Sequence, residues 1–218
     1  MKTVAIIPAY NEEKHIVETI VGVKKYSKDI IVIDDGSSDA TYELAKKAQV
    51  TAIKHVINLG KGASLITAIE YAISQDFDSF ILIDADLQHD PDEIPKFLDA
   101  LRDGNDIVFG YRTMKKNMPS ILRFGNYIIN RSTRFLYGLD LNDTTCGYRA
   151  LTAETYKKIK WEASGYFVEA EMIANTGKNN LKFTQIPIQT IYSDKYKGTT
   201  VLDGIKIVWN MLLWRLRR

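Results

Sequence analysis

The sequence predicts an α/β fold in which helices cover both faces of a mainly parallel β-sheet. Short runs of β-branched and apolar residues alternate with helix-length segments along the first half of the chain. Most of these runs are continuously apolar, which is typical of strands buried on both faces of a sheet. With 218 residues, 45% hydrophobic and 26% charged, the chain is large enough for one domain with a sizeable core.

The first half is predicted to contain five strands, with a helix after each of the first four. Strands are expected at residues 3–7, 29–33, 51–55, 80–83 and 106–109, and helices at about 13–26, 39–49, 63–74 and 91–102. Pro8 should end the first strand because it has no N–H, and Asn11 should cap the first helix. Strands and helices that alternate at this spacing imply right-handed crossovers and a parallel sheet.

The second half is predicted to be more irregular. Helices are expected at residues 120–137, 165–175 and 201–216, a turn at 143–151 enters a strand, and a last strand spans 181–188. We expect residues 1–200 to form one domain. Residues 201–218 form an amphipathic C-terminal helix that either belongs to this domain or contacts a membrane surface.

Composition and charge narrow the choice of partners. The net charge of +2 gives no reason to expect a nucleic-acid partner. The segment 112–137 holds six basic residues and no acid, which favours an anionic partner at one face. The single cysteine excludes an internal disulfide. The first strand begins within a few residues of Met1, so we expect no signal peptide, and no apolar run is long enough to span a bilayer.

A candidate metal site follows the fourth strand. The apolar run 80–83 leads directly into Asp84, Asp86 and Gln88. Because the chain turns where a strand ends, these three oxygen-bearing side chains can converge on one ion. With no histidine or cysteine set nearby, the ions that fit are Mg²⁺ and Mn²⁺, which usually complete their shell with substrate phosphates and water. The alternative is that the acids only cap the turn before Pro91.

Other polar loops also follow strands and should share the same edge of the sheet, which is where ligands bind in such folds. Tyr10, Glu12 and Asp35 offer an aromatic wall and acceptors for a base and a ribose, or else they are caps and turn formers. No G-x-G-x-x-G follows the first strand, which argues against a dinucleotide site. The segment 60–62 is not a complete phosphate loop, so Lys61 is expected in solvent or beside a pyrophosphate.

Five motifs in order resemble family 2 glycosyltransferases of the GT-A fold, most of all dolichyl-phosphate mannose or glucose synthases. They are residues 8–12 (PAYNE), 34–37 (DDGS), 84–89 (DADLQH), 110–112 (GYR) and 143–148 (DTTCGY). The resemblance implies inverting transfer of a hexose from GDP or UDP to a polyprenyl or dolichyl phosphate. It implies that the metal binds Asp84, Asp86 and Gln88, and that Pro8, Tyr10, Glu12 and Asp35 contact the nucleotide. Asp34 and Lys61 are further candidate binding residues.

The sequence departs from the family pattern at several positions, and these departures do not decide which sugar is transferred. Tyr111 and Cys146 stand where this branch usually has serine. A Ser-Lys pair near the C-terminus is only approximated by Lys195 and Lys197.

A phosphate acceptor sets the expected mechanism. A phosphate monoester has a second pKa of about 6, so it is already anionic near neutrality and needs cations more than a strong base. Arg112 and Arg123 match positions where the family places acceptor-phosphate arginines, and guanidinium groups bind phosphate in a two-pronged way. Asp143 is expected to orient an arginine or to contact the sugar.

A lipid acceptor also implies a membrane. Basic and apolar residues alternate in 120–137, and 201–218 carries two tryptophans and terminal arginines, so we expect peripheral binding to the cytoplasmic face, aided by self-association. A glycosyltransferase with a soluble or protein-linked acceptor is the nearest alternative. A nucleotidyltransferase is disfavoured by residues 9–12, and a non-catalytic nucleotide-sugar-binding module by Asp84, Asp86 and Arg112.

Overall fold

The computed structural model describes residues 1–113, 120–165, 167–189 and 201–216. Within these ranges, seven strands form one sheet in the order β3-β2-β1-β4-β6-β5-β7. The strands are β1 (Thr3–Ala9), β2 (Ile30–Asp34), β3 (Thr51–Lys54), β4 (Ser79–Leu82), β5 (Ile107–Arg112), β6 (Arg149–Thr152) and β7 (Phe183–Ile188). All neighbouring pairs are parallel except β4–β6 and β5–β6. The predicted mainly parallel α/β fold is confirmed.

Eight α-helices lie in the described ranges. They are α1 (Ile16–Lys24), α2 (Thr41–Lys47), α3 (Lys61–Ser74), α4 (Ile94–Arg102), α5 (Ser120–Tyr137), α6 (Ala153–Ile159), α7 (Val168–Lys178) and α8 (Val201–Leu216). A 3₁₀ turn, Pro91–Glu93, precedes α4. Helix α6 was not expected from the sequence; it follows β6 without a loop and is capped by the Thr152 side chain.

Helices cover both faces of the sheet, as predicted. One buried apolar cluster joins one face of the sheet to α3, α5, α6, α7 and α8, and a second joins the other face to α1, α2 and α4. Successive residues of β1 alternate between the two clusters: Val4 and Ile6 belong to the first, Ala5 and Ile7 to the second. This alternation is the period-two geometry of a strand whose two faces are both buried.

The first strand does not end at Pro8, which corrects the prediction. It continues to Ala9, and Pro8 lies opposite Ile33 of β2. The carbonyl of Ile6 bonds to the β4 side, whereas that of Ala9 bonds to the β2 side. By this alternation the missing N–H of Pro8 faces the β4 side, where the paired part of β4 has already ended at Leu82. Proline therefore removes no ladder hydrogen bond here.

Asn11 does not cap the first helix, which is a second correction. The helix begins only at Ile16, and His15 precedes it without a capping side-chain bond. Asn11 has a left-handed backbone (φ 54°), which asparagine tolerates well, and its Oδ1 accepts bonds from the Ser38 amide and hydroxyl. Asn11 thus joins the loops after β1 and β2, at the edge where the site lies.

The C-terminal helix α8 packs against α5 and α7 through one face. Ile207 and Met211 are buried, and the Tyr137 hydroxyl of α5 donates a hydrogen bond to the Met211 carbonyl at 2.5 Å. None of the helices in the described ranges combines the length and the apolar character that crossing a membrane requires.

Candidate active site

The candidate active site lies at one edge of the sheet. Six strands of the described sheet, β1 to β5 and β7, end there, and β6 begins there because it runs antiparallel between β4 and β5. This reversal brings the loop 143–148 to the edge that carries the D-x-D acids. The structure therefore places these predicted site residues on one edge: Pro8, Tyr10, Glu12, Asp34, Asp35, Asp84, Asp86, Gln88, Arg112 and Asp143.

Lys61 bridges two acids from distant parts of the chain. Its Nζ lies 2.6 Å from Asp84 Oδ1 and 2.7 Å from Glu169 Oε1, and all three side chains are largely buried. Burial alone would raise the pKa of Asp84, but the ammonium of Lys61 holds it below its ordinary value. The two acids in turn outweigh the burial of Lys61 and raise the pKa of its amine. Lys61 and Asp84 thus stabilise each other's charged forms.

The position of Lys61 depends on two glycines that do not serve as a phosphate loop. A Cβ on Gly62 would lie 1.9 Å from the Ala163 carbonyl oxygen, and one on Gly60 would lie 2.5 Å from that of Ser164. The indole N–H of Trp161 also donates to the Gly62 carbonyl at 3.0 Å. The glycines therefore allow the segment 161–165 to pack directly against the start of α3, and this contact fixes the base of the Lys61 side chain.

Asp86 is the second acid of the D-x-D motif. Its Oδ1 accepts the Gln88 backbone N–H at 3.0 Å. Burial and the neighbouring charge of Asp84 raise the pKa of Asp86, so a cation beside both carboxylates would stabilise its ionised form. In the described part of the chain, no three His, Cys, Asp or Glu side chains are arranged around a common metal position. Two carboxylates and a carboxamide fit Mg²⁺ or Mn²⁺, which takes further ligands from phosphate and water.

The loop after β4 is held in a strained turn. Leu87 has φ 61°, and the left-handed region costs an L-residue of this kind about 1–2 kcal/mol. His89 lies at the other end of the turn, where its Nδ1 accepts the Asp84 amide at 3.4 Å. The His89 ring stacks on Tyr148, which stacks on Phe97. Burial lowers the pKa of His89, which favours the neutral ring that an acceptor nitrogen requires.

Arg112 and Asp143 form a two-pronged ion pair across the same edge. Arg112 Nε lies 2.6 Å from Asp143 Oδ2, and Nη2 lies 2.9 Å from Oδ1. Nη2 also donates to the Thr145 hydroxyl at 2.7 Å. Burial alone would raise the pKa of Asp143, but Arg112 holds it below its ordinary value. Asp143 therefore stays ionised and orients the guanidinium, one of the two roles that the sequence suggested.

The acids after β2 are engaged by the protein itself. Asp35 Oδ1 accepts bonds from Leu59 N at 2.9 Å and from the His55 ring at 2.8 Å, and Oδ2 accepts Gly60 N at 2.7 Å. These bonds shape the loop between β3 and α3. Asp34 is also buried, and its Oδ1 accepts the Ser37 amide at 3.3 Å.

The residues after β1 lie beside this pair of acids. Tyr10 is 48% exposed, and Glu12 contacts the His15 ring at 2.7 Å. The Glu12 backbone N–H donates to the Thr41 hydroxyl at 2.8 Å, which ties this loop to the start of α2. Tyr10 therefore offers an accessible aromatic ring next to anchored polar groups.

Three further residues in this region carry structural roles that sequence reasoning did not identify. Glu169 was seen only as an acid in a predicted helix. Gly147 lies so close that a Cβ there would be 2.6 Å from both Asp84 Oδ2 and Lys61 Nζ. Arg149 is fully buried and donates to the carbonyls of Cys146, Glu169 and Thr144, which ties the loop 143–147 to α7.

Three predicted contacts cannot be placed. The side chain of Arg123, near the start of α5, and both Lys195 and Lys197 lie outside the residues that the structure describes.

Comparison with known proteins identifies the family. A sequence model described as Glycosyl transferase family 2 matches residues 4–160. The chain belongs to this family. The resemblance seen in the sequence is therefore confirmed, and so is the GT-A fold.

Relatives and solved structures agree with this assignment. An uncharacterized protein of Methanocaldococcus jannaschii is 38% identical over 97% of this chain and 91% of its own length. A UDP-N-acetylglucosamine–dolichyl-phosphate N-acetylglucosaminyltransferase of Methanococcus voltae is 33% identical, covering 97% and 95%. Glucosyl-3-phosphoglycerate synthase from Mycobacterium tuberculosis, crystallised with Mn²⁺, uridine diphosphate and phosphoglyceric acid, has a TM-score of 0.78 at 19% identity and covers 99% of this chain and 78% of its own. At this identity the structural likeness concerns the fold alone.

The Arg112–Asp143 pair makes a pH-dependent prediction. Asp143→Asn should lower the free energy of unfolding by about 3 kcal/mol near neutral pH, because a mostly buried guanidinium loses its charged partner. The pKa of Asp143 is lowered in the folded state, so its contribution is present above the unfolded value of about 3.9 and is lost as the pH falls through the folded value. The gap between wild type and variant should therefore narrow below about pH 4, as measured by urea unfolding.

The matched control is Asp140→Asn. Asp140 is exposed and lies 3.5 Å from Arg134, so this variant should differ from wild type by about 0.5 kcal/mol or less at any of these pH values. If both variants lost the same free energy of unfolding, the buried pair would contribute no more to stability than the exposed pair.

Proposed function

We propose that this chain is an inverting, metal-dependent glycosyltransferase that moves a hexose or N-acetylhexosamine from a nucleoside diphosphate to a polyprenyl or dolichyl phosphate. The observation that carries the proposal is the placement of an oriented guanidinium, Arg112, on the same edge as Asp84 and Asp86. A site of this kind can hold two anions, the donor diphosphate and a phosphate acceptor. Curated relatives that act on dolichyl or polyprenyl phosphates support the choice of acceptor.

Asp84, Asp86 and Gln88 are the residues that would hold Mg²⁺ or Mn²⁺. When bound, this ion supplies positive charge to the departing nucleoside diphosphate. In this proposal the base and ribose are surrounded by Pro8, Tyr10, Glu12 and Asp35. The buried Asp34 directly precedes Asp35 in the chain. Tyr10 can stack its exposed ring on the base.

Lys61 and Glu169 are proposed to lie beside the sugar and the pyrophosphate. Lys61 keeps Oδ1 of Asp84 bound at 2.6 Å and leaves Oδ2 directed toward the region of His89. The Oε2 atom of Glu169 is buried and has no hydrogen-bond donor in the described part of the chain. A sugar hydroxyl at this atom would satisfy a group that is otherwise costly to bury.

The acceptor needs no strong base in this mechanism. A phosphate monoester is mostly dianionic near neutral pH, so its oxygen can attack the anomeric carbon directly from the face opposite the leaving diphosphate. Arg112 binds and orients this phosphate, and Asp143 with Thr145 keeps the guanidinium in place. Because both oxygens of Asp143 are bound to Arg112 and its pKa is lowered, we propose that it positions Arg112 and transfers no proton. Arg123 remains a proposed second phosphate ligand.

The alternative hypothesis is that the acceptor is a soluble anion. The solved relative from Mycobacterium tuberculosis was crystallised with phosphoglyceric acid, which also carries a phosphate. Both acceptors would use the same cationic half of the edge, so the choice between them is made by assay.

One assay tests the reaction and the role of Arg112 together. Wild-type protein is incubated with Mn²⁺ or Mg²⁺, polyprenyl phosphate in detergent, and radiolabelled GDP- and UDP-sugars. We expect labelled lipid in the organic phase from one donor. Arg112→Ala should raise the KM for the lipid phosphate at least tenfold, the value of a charge-assisted bond, while the affinity for the nucleotide changes little.

Arg102→Ala is the matched control, because Arg102 is exposed and pairs only with Asp99 on the surface among its described contacts. It should behave like wild type. Label that stays in the aqueous phase, joined to phosphoglycerate or another soluble anion, would contradict the lipid acceptor. Equal losses of nucleotide and acceptor affinity in Arg112→Ala would contradict the role of that residue.

We further propose that the outer faces of α5 and α8 bind the surface of the cytoplasmic membrane. On α5, exposed apolar and basic residues fall on one helical face, and α8 repeats the pattern. They are Tyr127, Ile128, Arg131, Arg134 and Phe135 on α5, and Lys206, Trp209, Leu212, Leu213, Arg215 and Leu216 on α8. Apolar side chains flanked by cations suit an anionic lipid surface. Self-association would add a second such surface and strengthen binding.

Vesicle flotation tests this surface. The double variant Phe135→Ser with Trp209→Ser removes side chains that are 87% and 63% exposed. It should reduce binding to vesicles with about one-third anionic lipid by tenfold or more, since each aromatic group contributes about 1.5–3 kcal/mol when buried. Val56→Ser, which alters a fully exposed residue of the β3–α3 loop, is the control and should bind like wild type. Unchanged flotation of the double variant would remove α5 and α8 from the proposal.

A further inference from the structure

Leu87 is the exception among the residues with a left-handed backbone. Five described non-glycine residues have positive φ: Asn11, Gln49, Asp76, Leu87 and Asn180. Four of them are polar, and three are the Asn or Asp that this conformation favours. In the part of the chain that the structure describes, Leu87 is the single apolar residue held in this way.

Neither the turn nor the core explains a leucine at this position. The turn is closed by the Gln88 N–H bond to Asp86 and by the His89 ring that accepts the Asp84 amide, and glycine or asparagine would fit it with less strain. Leu87 is only partly buried, and it belongs to neither of the two apolar clusters that pack on the described sheet. A strained residue that contributes to no core is expected where its side chain meets a ligand.

The position of the loop narrows the choice of ligand. Leu87 lies between Asp86 and Gln88, in the loop that follows β4, the strand in the middle of the sheet. The buried ring of His89, two residues further on, lies 3.9 Å from Asp84 Oδ2 and stacks on Tyr148, at the end of the loop 143–148 whose Asp143 binds Arg112. The loop therefore borders both the proposed metal site and the proposed phosphate site.

We infer that the Leu87 side chain contacts the first isoprene units of the lipid acceptor and is a specificity-determining residue for that substrate. The inference rests on the proposed function. The sugar and diphosphate of the donor present hydroxyls and charged oxygens, and the base is assigned to the separate loop at Tyr10. The acceptor is different, because its phosphate is bonded directly to an apolar chain. Its first carbons are the apolar atoms closest to the reacting oxygen.

Two variants separate the side chain from the turn. Leu87→Asn keeps a similar size and suits the left-handed backbone, but it removes the apolar group. Leu87→Met keeps an apolar group and serves as the conservative rescue. Each is compared with wild type for melting temperature, for nucleoside diphosphate affinity with Mn²⁺, and for the KM of geranyl phosphate and of a long-chain polyprenyl phosphate.

The Asn variant should melt no lower than wild type, because the backbone strain is relieved, and should bind nucleoside diphosphate within about twofold of wild type. Its KM should rise about tenfold or more for both acceptors, as expected for loss of a buried leucine contact. The Met variant should recover most of this loss.

Three results would overturn the inference. The first is an acceptor KM in the Asn variant that stays within about threefold of wild type, and the second is an equal loss of nucleotide affinity, which would place Leu87 against the donor. A loss seen only with the long-chain lipid would indicate a membrane effect and would overturn it as well. If wild type transfers sugar to neither polyprenyl phosphate, the proposed function itself fails and this inference falls with it.

Discussion

A buried ammonium group between two carboxylates is the interaction on which the candidate site depends. Lys61 comes from the start of α3, Asp84 from the end of β4, and Glu169 from the first turn of α7, so their contacts tie three elements together. Charges of this kind are stable in a protein interior only when they compensate one another. The close packing of segment 161–165 on Gly62 and the bare backbone of Gly147 make room for the group. With Asp84 fixed in this way, Asp86 and Gln88 are set beside it by a short turn.

The edge of the sheet divides into two halves with different electrostatic character. On one side lie the acids of β2 and β4 and the exposed ring of Tyr10, and on the other lies the Arg112–Asp143 pair. The antiparallel strand β6 joins the halves, because the loop that enters it carries Asp143 and Gly147. Arg149, at the start of β6, then fastens that loop to α7 by three bonds to backbone carbonyls. The first half suits a nucleotide-sugar donor with its cation, and the second half suits an anionic acceptor.

Much of the fold could be predicted from sequence because its signals are local. The spacing of apolar residues located β2, α5, α8 and the last strand to within a few residues, since periodicity is fixed by each element alone. The placement of the acids after strands also predicted the shared edge. The errors at Pro8 and Asn11 have another origin. Each depends on a neighbouring strand or loop that lies more than 20 residues away in the chain.

The site was predicted less completely, for the same reason. The motif residues Asp84, Asp86 and Arg112 stand out by type and position, but nothing near Glu169 in the sequence indicates that it meets Lys61. Asp35 looked like a free acceptor for a ribose, whereas three protein donors occupy its oxygens. Such partners are chosen by tertiary packing, and a single sequence carries no signal for contacts of that range.

The central claim is that Asp84 and Asp86 hold a divalent cation together with the donor diphosphate. Electron paramagnetic resonance of Mn²⁺, titrated into the protein with UDP or GDP present, tests it most directly. The account predicts one bound Mn²⁺ per chain, an affinity at least tenfold lower for Asp86→Asn, and no change for Asp92→Asn, an acid of the adjoining 3₁₀ turn. An Asp86→Asn variant that binds Mn²⁺ as tightly as wild type would contradict it.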